Sequence, residues 1–337
     1  MRTRIRKIIV TGGAGFIGSE FVRLAVSRGY SVVVIDKLTY AGDLARLAAV
    51  SDKISFYKTD ICNRKKIDAI FSKEKPQIVI HFAAETHVDR SIGDATAFLD
   101  TNVGGTHVLL EAARKYKLNK FVHISTDEVY GEIKKGEFSE GGSLNPSNPY
   151  AASKAAADLL IKSYIRTYNF PALIVRPSNN YGLWQYPEKL IPVVILKALN
   201  NERVPVYGEG KNKREWLYVK DCARGVLTVM NKGAIGQTYN LGSRRQSRNI
   251  DTVKKVIRML GRDSKLIQFV QDRPGHDWRY ALDSSKIAKL GWTQKFDFDT
   301  GIKETVDWYR QNTDWLNTKR EKLEQYWRSV YFCKGSK

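Results

Sequence analysis

Short apolar runs alternate with amphipathic stretches through the first half of the chain. Lys7-Ile8-Ile9-Val10, Ser31-Val32-Val33-Val34-Ile35, Ile54-Ser55-Phe56-Tyr57, Gln77-Ile78-Val79-Ile80-His81-Phe82, Phe121-Val122-His123-Ile124 and Ala172-Leu173-Ile174-Val175-Arg176 are too short for buried helices and rich in β-branched residues. They are therefore predicted to be strands. Between them, helical patterns run from Ser19 to Arg28, from about Asn102 to Tyr116, and from Tyr150 to Leu160. Strands alternating with helices predict an α/β protein with a doubly wound parallel sheet.

After Arg176 the pattern changes. Pro177 to Pro192 is expected to be loop, Ile191 to Leu199 a helix, Val204 to Gly208 a short strand, and Lys211 to Val219 a basic-aromatic strand. Asp251 to Leu260 places Val253, Val256, Ile257 and Leu260 on one helical face, which is a core helix and nothing more. The chain is accordingly divided into residues 1–176 and a smaller, partly interleaved unit 177–337, with about 216–242 returning to the first. From Thr313 a basic and aromatic segment reads as a helix and tail without an assigned role.

The strand ends carry the chemistry, because open α/β sheets bind ligands at the carboxyl edge. Thr11-Gly12-Gly13-Ala14-Gly15-Phe16-Ile17-Gly18 lies between a strand and a helix, where glycines let the backbone approach a pyrophosphate. Asp36 follows within the interval at which an acid binds the adenosine ribose, which favours NAD over NADP, although Lys37 beside it tempers that choice. Asp60-Ile61 is placed to flank an adenine, and Ala83-Ala84 permit close cofactor approach, with His87 and Arg90 beyond. Phe121-Val122-His123-Ile124-Ser125 ends in Thr126, Asp127 and Glu128. Tyr150 and Lys154 share a helix face. Such a pair is by itself an amphipathic edge. Beside a strand-end hydroxyl and two acids it becomes a phenol whose proton affinity the lysine lowers. Arg273 and Arg279, around the turn at Pro274-Gly275, are placed to clamp a diphosphate, or else simply belong to a surface loop.

Basic side chains number 56 and acidic ones 35, a net charge of +21 that draws anions. They are scattered from Arg2, Arg4 and Arg6 to Lys319, Arg320 and Lys322 with no nucleic-acid motif, so nucleic acid is not the expected partner. Cys62, Cys222 and Cys333 are far apart and suggest reduced thiols in a cytoplasmic setting. The five histidines lack ligand spacing, and no metal is expected. Neither a transmembrane run nor a signal peptide is expected, and so no membrane partner.

Together, the glycine loop, Ala83-Ala84-Glu85-Thr86-His87-Val88-Asp89-Arg90-Ser91-Ile92, Thr126-Asp127-Glu128, Tyr150 with Lys154, Asn179-Asn180-Tyr181-Gly182, Pro187 to Pro192 and Asp272 to Asp277 resemble the extended short-chain dehydrogenase/reductase family, and within it the dTDP-glucose 4,6-dehydratase branch. The resemblance covers about residues 7–310. The Asp-Glu pair separates this branch from the family's epimerases and decarboxylases.

What the resemblance implies is a Rossmann-type NAD-binding domain, a substrate-binding domain, and a hydro-lyase that uses tightly bound NAD, regenerated each turnover. Oxidation at C4, loss of water across C5–C6 and hydride return to C6 would give the 4-keto-6-deoxy sugar nucleotide. Tyr150, Lys154, Thr126, Asp127 and Glu128 would be catalytic. Gly12, Gly15, Phe16, Ile17, Gly18, Asp36, Lys37, Thr39, Asp60, Ile61, Ala83 and Ala84 would hold the cofactor. His87, Asn180, Glu188, Lys189, Tyr207, Arg214, Arg273, His276 and Tyr280 would hold the nucleotide sugar. A homodimer is implied as well. Pro177, Leu183-Trp184 and Glu215 depart from the branch's pattern and leave the nucleotide open, UDP-glucose included. An epimerase or decarboxylase, or an NAD-binding scaffold with nucleic-acid affinity, are the other readings.

Overall fold

The computed structural model describes residues 6–327, so Arg2, Arg4, Cys333 and the end of the tail lie outside the described residues. Through the first half the chain runs β1 (Lys7–Thr11), α1 (Phe16–Ser27), β2 (Ser31–Asp36), β3 (Ile54–Lys58), α2 (Arg64–Glu74), β4 (Ile78–His81), α3 (Val88–Gly93), α4 (Thr96–Phe98), a π turn (Leu99–Gly105) and α5 (Thr106–Lys115). Then come β5 (Lys120–Ile124), α6 (Pro149–Tyr168), β6 (Ala172–Pro177), β7 (Asn179–Tyr181), α7 (Leu190–Leu199), β8 (Val204–Tyr207) and β9 (Lys213–Tyr218). The remainder is α8 (Val219–Lys232), β10 (Thr238–Leu241), β11 (Gln246–Arg248), α9 (Asn249–Met259), β12 (Ile267–Val270), α10 (Ser285–Ala288), α11 (Phe298–Gln311), α12 (Thr313–Thr318) and α13 (Arg320–Trp327).

The main sheet has seven strands in the order β10-β6-β5-β4-β1-β2-β3. Every pairing in it is parallel. Neighbouring residues of each strand face opposite layers. Ile8, Val10, Val32, Val34 and Ile80 pack with Phe21 and Val22 of α1 and Val226 of α8. Ile9, Val33, Ile35 and Val79 pack with Phe71 of α2, Leu109 of α5 and Ile161 of α6. Burial on both faces is why these strands read as continuous apolar runs. The strand order reverses between β1 and β4, which opens a crevice at their carboxyl ends. A separate cluster, including Tyr181, Ile195, Val206, Val253, Ile302 and Tyr309, supports the segments that roof this crevice.

Among the differences from the sequence reading, α6 runs on from Leu160 to Tyr168, β10 was not foreseen, and three more bear on the crevice. Helix α1 starts at Phe16, not Ser19, because the glycine loop itself turns into the helix: a Cβ on Gly18 would meet the Gly12 carbonyl oxygen at 2.2 Å. The helical stretch predicted from Asn102 begins at Thr96. Its glycines disguise it. Gly105 leaves room for the Ile61 side chain, whose Cδ1 would lie 2.4 Å from a Cβ there. Pro177 to Pro192 is not all loop, because Asn179–Tyr181 pairs with Trp216–Tyr218 as a short strand of polar residues with no alternation to betray it.

Candidate active site

The crevice is a cavity of about 430 Å³. Gly12 starts its cofactor-side wall with φ +67°, and a Cβ there would meet the Ala83 backbone nitrogen at 2.6 Å. Only glycine lets β1 and the Ala83-Ala84 strand end come this close. Helix α1 then points its amino terminus into the cavity beside Gly15, Phe16, Ile17 and Gly18, an arrangement suited to a diphosphate.

Asp36 ends β2 and is buried; it accepts from the Ala14 amide at 2.9 Å and the Leu38 amide at 2.8 Å. Burial pushes its carboxyl up, and those two amides oppose the shift. Lys37 is engaged 2.6 Å from Asp60, so the cation next to Asp36 is already matched by an acid. Thr39, Asp60, Ile61 and Ala84 complete this wall.

At the end of β5, Thr126 caps a 3₁₀ turn, accepting from the Glu128 amide at 3.3 Å while its hydroxyl donates to Asp127 Oδ1 at 3.2 Å. The two acids sit in different fields. Burial holds Asp127 well above the usual carboxylate range, and Glu128 and Glu215 raise it further. Burial also raises Glu128, but Arg273, Arg214 and Lys189 all oppose it. The arrangement favours a proton on Asp127 and a charge on Glu128.

Asn148 accepts from the Ala151 amide at 2.9 Å and starts α6, so Tyr150 enters the site in the first turn. The chain's own groups hold this phenol above its ordinary value, opposite to the lowering expected from Lys154. Burial strips the phenolate of water, and the carboxylates of Glu128 and Asp127 add to the effect, with a Thr126 hydrogen bond opposing. Lys154 Nζ donates instead to the Ile124 carbonyl at 2.7 Å and lies 3.4 Å from His123 Nε2. Burial brings its ammonium down to about 8.

The opposite wall is made of charged side chains held by distant segments. Lys189 Nζ donates to the Thr86 carbonyl at 2.8 Å. Glu188 accepts from Tyr40 at 3.0 Å and lies 3.4 Å from Arg90 and 4.0 Å from His87. Burial first, then Lys189 and Arg90, hold the His87 ring well below its ordinary value and therefore neutral. Arg273 and Tyr207 reach the two oxygens of Asp89 at 3.2 and 3.1 Å. Arg214 donates to the Asp277 carbonyl at 3.0 Å. His276 pairs with Asp272 at 2.5 Å, and burial brings its ring down to about 4. Asn180 lines the cavity beside Gln185, whose amide donates to its carbonyl at 2.9 Å.

Two placements depart from expectation. Tyr280 does not line the cavity: it is buried behind Arg214, with the guanidinium 4.6 Å over its ring and its hydroxyl donating to Asp277. Nor does Arg279 join Arg273 as a clamp. It turns away to Gln246 and to the Ile133 and Gly136 carbonyls, because it belongs to a bridge with Lys213 on the far side of the turn. Conversely, Asp89 and Arg46 line the cavity and had no predicted role. Asp89 was visible as an acid in a polar run; nothing in the local pattern around Arg46 marked it.

A family model described as GDP-mannose 4,6 dehydratase matches residues 9–305. A probable dTDP-glucose 4,6-dehydratase of Sinorhizobium fredii is 48% identical, over 94% of this chain and 96% of the relative. Among solved structures, a dTDP-glucose 4,6-dehydratase of Streptomyces venezuelae with NAD bound is 41% identical, covers 93% of this chain and 100% of its own, and superposes with a TM-score of 0.91. A UDP-glucose 4-epimerase of Thermus thermophilus, also with NAD, reaches 30% identity and 0.86, covering 91% of this chain and 99% of its own.

Proposed function

Since the chain belongs to the nucleotide-sugar 4,6-dehydratase family, we propose that it converts dTDP-glucose to dTDP-4-keto-6-deoxyglucose. The observation that carries this reading is the adjacent buried pair Asp127 and Glu128, one in an acid-raising field and the other facing three cations. An elimination of water needs both a proton donor and a base. Gly12 to Gly18, Asp36, Ala83-Ala84 and Lys154 would hold NAD, which when bound would supply the hydride acceptor for C4 and the donor for C6 and so be regenerated each turnover.

The protein's own groups do the rest. The chain's own groups raise the Tyr150 phenol, so it would ionise once the positive nicotinamide stands beside it and would then take the proton of the C4 hydroxyl, while Thr126, beside it, hydrogen-bonds the same oxygen. A C4 ketone acidifies the C5 proton, which Glu128 removes while Asp127 protonates the departing C6 hydroxyl; hydride return to C6 is matched by the proton that Glu128 gives back to C5, and the proton held by Tyr150 passes through solvent to replace the one Asp127 gave up. Arg214, Arg273, Lys189 and Asn180 receive the diphosphate, and neutral His87 receives the sugar. The first domain, residues 1–176 with α8 and β10, holds NAD, and the rest mainly holds the sugar nucleotide.

The protein acts as a homodimer in the cytoplasm. Leu99 on the π turn and Leu159 on α6 are large apolar side chains about half exposed and available to a second copy. Among the described residues no helix is long and apolar enough to cross a membrane. Mass spectrometry of the protein incubated with dTDP-glucose and UDP-glucose, without added reductant, tests the reaction. Loss of one water from dTDP-glucose alone, abolished in Asp127→Asn and Glu128→Gln, is the expected result. The same loss from UDP-glucose corrects the nucleotide, and loss from neither overturns the reading.

A further inference from the structure

The carboxyl-terminal segment is anchored to the cofactor-side wall. Trp315 Nε1 of α12 donates to Asp43 Oδ2 at 2.8 Å, and Lys319 reaches the same oxygen at 2.8 Å. Asp43 precedes a 3₁₀ helix (Leu44–Lys53) and caps it by accepting from the Ala45 amide at 3.0 Å. Its own amide donates to the Ala14 carbonyl at 3.0 Å. Arg46, 2% exposed, donates to the same Ala14 carbonyl at 2.9 Å, to Ala41 at 2.5 Å and to Trp184 at 3.1 Å, with its guanidinium 5.7 Å over the Trp315 ring. Trp184 in turn packs on Trp308 at 4.6 Å and Trp315 at 5.2 Å.

Ala14 is the junction. Its carbonyl takes Asp43 and Arg46, and its amide holds Asp36. Ala41, Gly42 and Arg46 line the cavity beside Gly15 and Asp36. The Nη2 of Arg46 is buried with no hydrogen-bond partner among the described residues. A continuous set of contacts therefore runs from α12 through Asp43 and Arg46 to the glycine loop and the ribose-side acid.

We propose that Trp315 and Lys319 are positioning residues for the cofactor: they pin the segment from Thr39 to Arg46 against the glycine loop and so set how slowly NAD leaves. Neither residue lines the cavity, so they act through Asp43 and Arg46. The inference rests on the NAD assignment above.

Removing the indole N–H and the ammonium deletes two hydrogen bonds to one carboxylate, one of them charge-assisted, so the double variant Trp315→Phe/Lys319→Met is expected to release NAD roughly tenfold faster. Release is read by chasing the NADH-loaded protein with excess NAD and following cofactor fluorescence. With NAD in excess, kcat stays near the parent value, whereas a general loss of structure lowers it. Asp43→Asn, which keeps the side chain's shape, is the second variant and is expected to move release in the same direction. Hydrogen exchange of the amides from Thr39 to Ala45 gives a second readout, expected to quicken in both. Release within twofold of the parent, with unchanged exchange, overturns the proposal. If the parent protein neither carries nor binds NAD, the cofactor assignment fails instead, and exchange alone then decides whether the anchor exists.

Discussion

Along the cofactor-side wall, Gly12, Asp36 and Ala83 come from strand ends of one sheet and are fixed by backbone: a carbonyl, two amides and a close approach that only glycine allows. Along the facing wall, Arg214, Arg273, Lys189, Glu188 and His87 come mostly from segments far apart in the chain and are fixed through their side chains, which reach acids or backbone carbonyls of other segments. The first wall binds by shape and by the peptide groups of a preformed turn. The second wall concentrates charge, and that charge reaches across the cavity to tune acids on the sheet edge. Glu128 stands at the edge of the main sheet, yet the groups that oppose its rise stand across the cavity, Arg214 on β9 and Arg273 and Lys189 on loops. On the proposed reading, catalysis depends on both walls, while cofactor retention depends mostly on one.

The sharpest test of that division is the acid pair. Asp127→Asn and Glu128→Gln are each expected to slow water elimination by roughly 10²- to 10⁴-fold, the usual worth of a positioned acid or base. Cofactor content of the purified variants should stay at the parent level, and a loss of bound NAD would break the separation between walls. Next in size is Lys154. Its folded-state value of about 8 lies below the ordinary 10.5, so between these pH values the unfolded chain holds more protons. Stability should rise with pH across that window, by up to about 3 kcal/mol as an upper bound, and Lys154→Met should flatten the rise. Urea unfolding at both ends of the window measures it.

Smaller effects separate the walls further. Arg273→Gln removes the largest group opposing the rise of Glu128. Its carboxyl then goes higher, elimination at neutral pH falls by roughly tenfold, and the rate recovers as pH increases because the base must be ionised. An unchanged pH profile would show that the loop wall does not tune the sheet acids. Last, Asp36→Asn keeps the oxygen that faces one amide but loses the charge. NAD affinity should weaken by roughly three- to tenfold, comparable to one charge-assisted hydrogen bond, with the KM for the nucleotide sugar unmoved.

Legibility in the sequence follows the same line. Six of the seven strands of the sheet were readable, most of them because both faces are buried and a short uninterrupted β-branched run fits little besides a strand covered on both sides; β10, only Thr238–Leu241, escaped. Thr126, Asp127, Glu128, Tyr150 and Lys154 were readable as one group because a single strand end and a single helix turn deliver them. The loop wall was readable only through resemblance. Within it Tyr280 stands behind Arg214 and not on the cavity, and of the two readings left open for Arg279 the structure gives the one away from the clamp, since no periodicity says which way residues near a turn point. The direction of the Tyr150 shift also escaped the sequence. Spacing identified a lysine one helical turn away, but the Ile124 carbonyl that accepts its hydrogen bond belongs to another element. The contact between Arg46 and Trp315 is the extreme case: it joins positions 269 residues apart, with Ala14, Asp43 and Trp184 as shared surroundings, and no local window contains it.

Strand β10 lies at the edge of the main sheet, beside β6, while every other strand of that sheet precedes residue 178. During synthesis, six strands can associate while the flank of Ala172–Pro177, buried along its whole length in the finished molecule, is still uncovered. That flank closes only after a further stretch of about 60 residues has left the ribosome and looped back. An open, apolar strand edge is a template for pairing with another nascent chain. The half-made protein is therefore most prone to aggregation between completion of β6 and arrival of β10. Ribosome-stalled chains ending just before and just after Thr238–Leu241 should differ in their demand for chaperones.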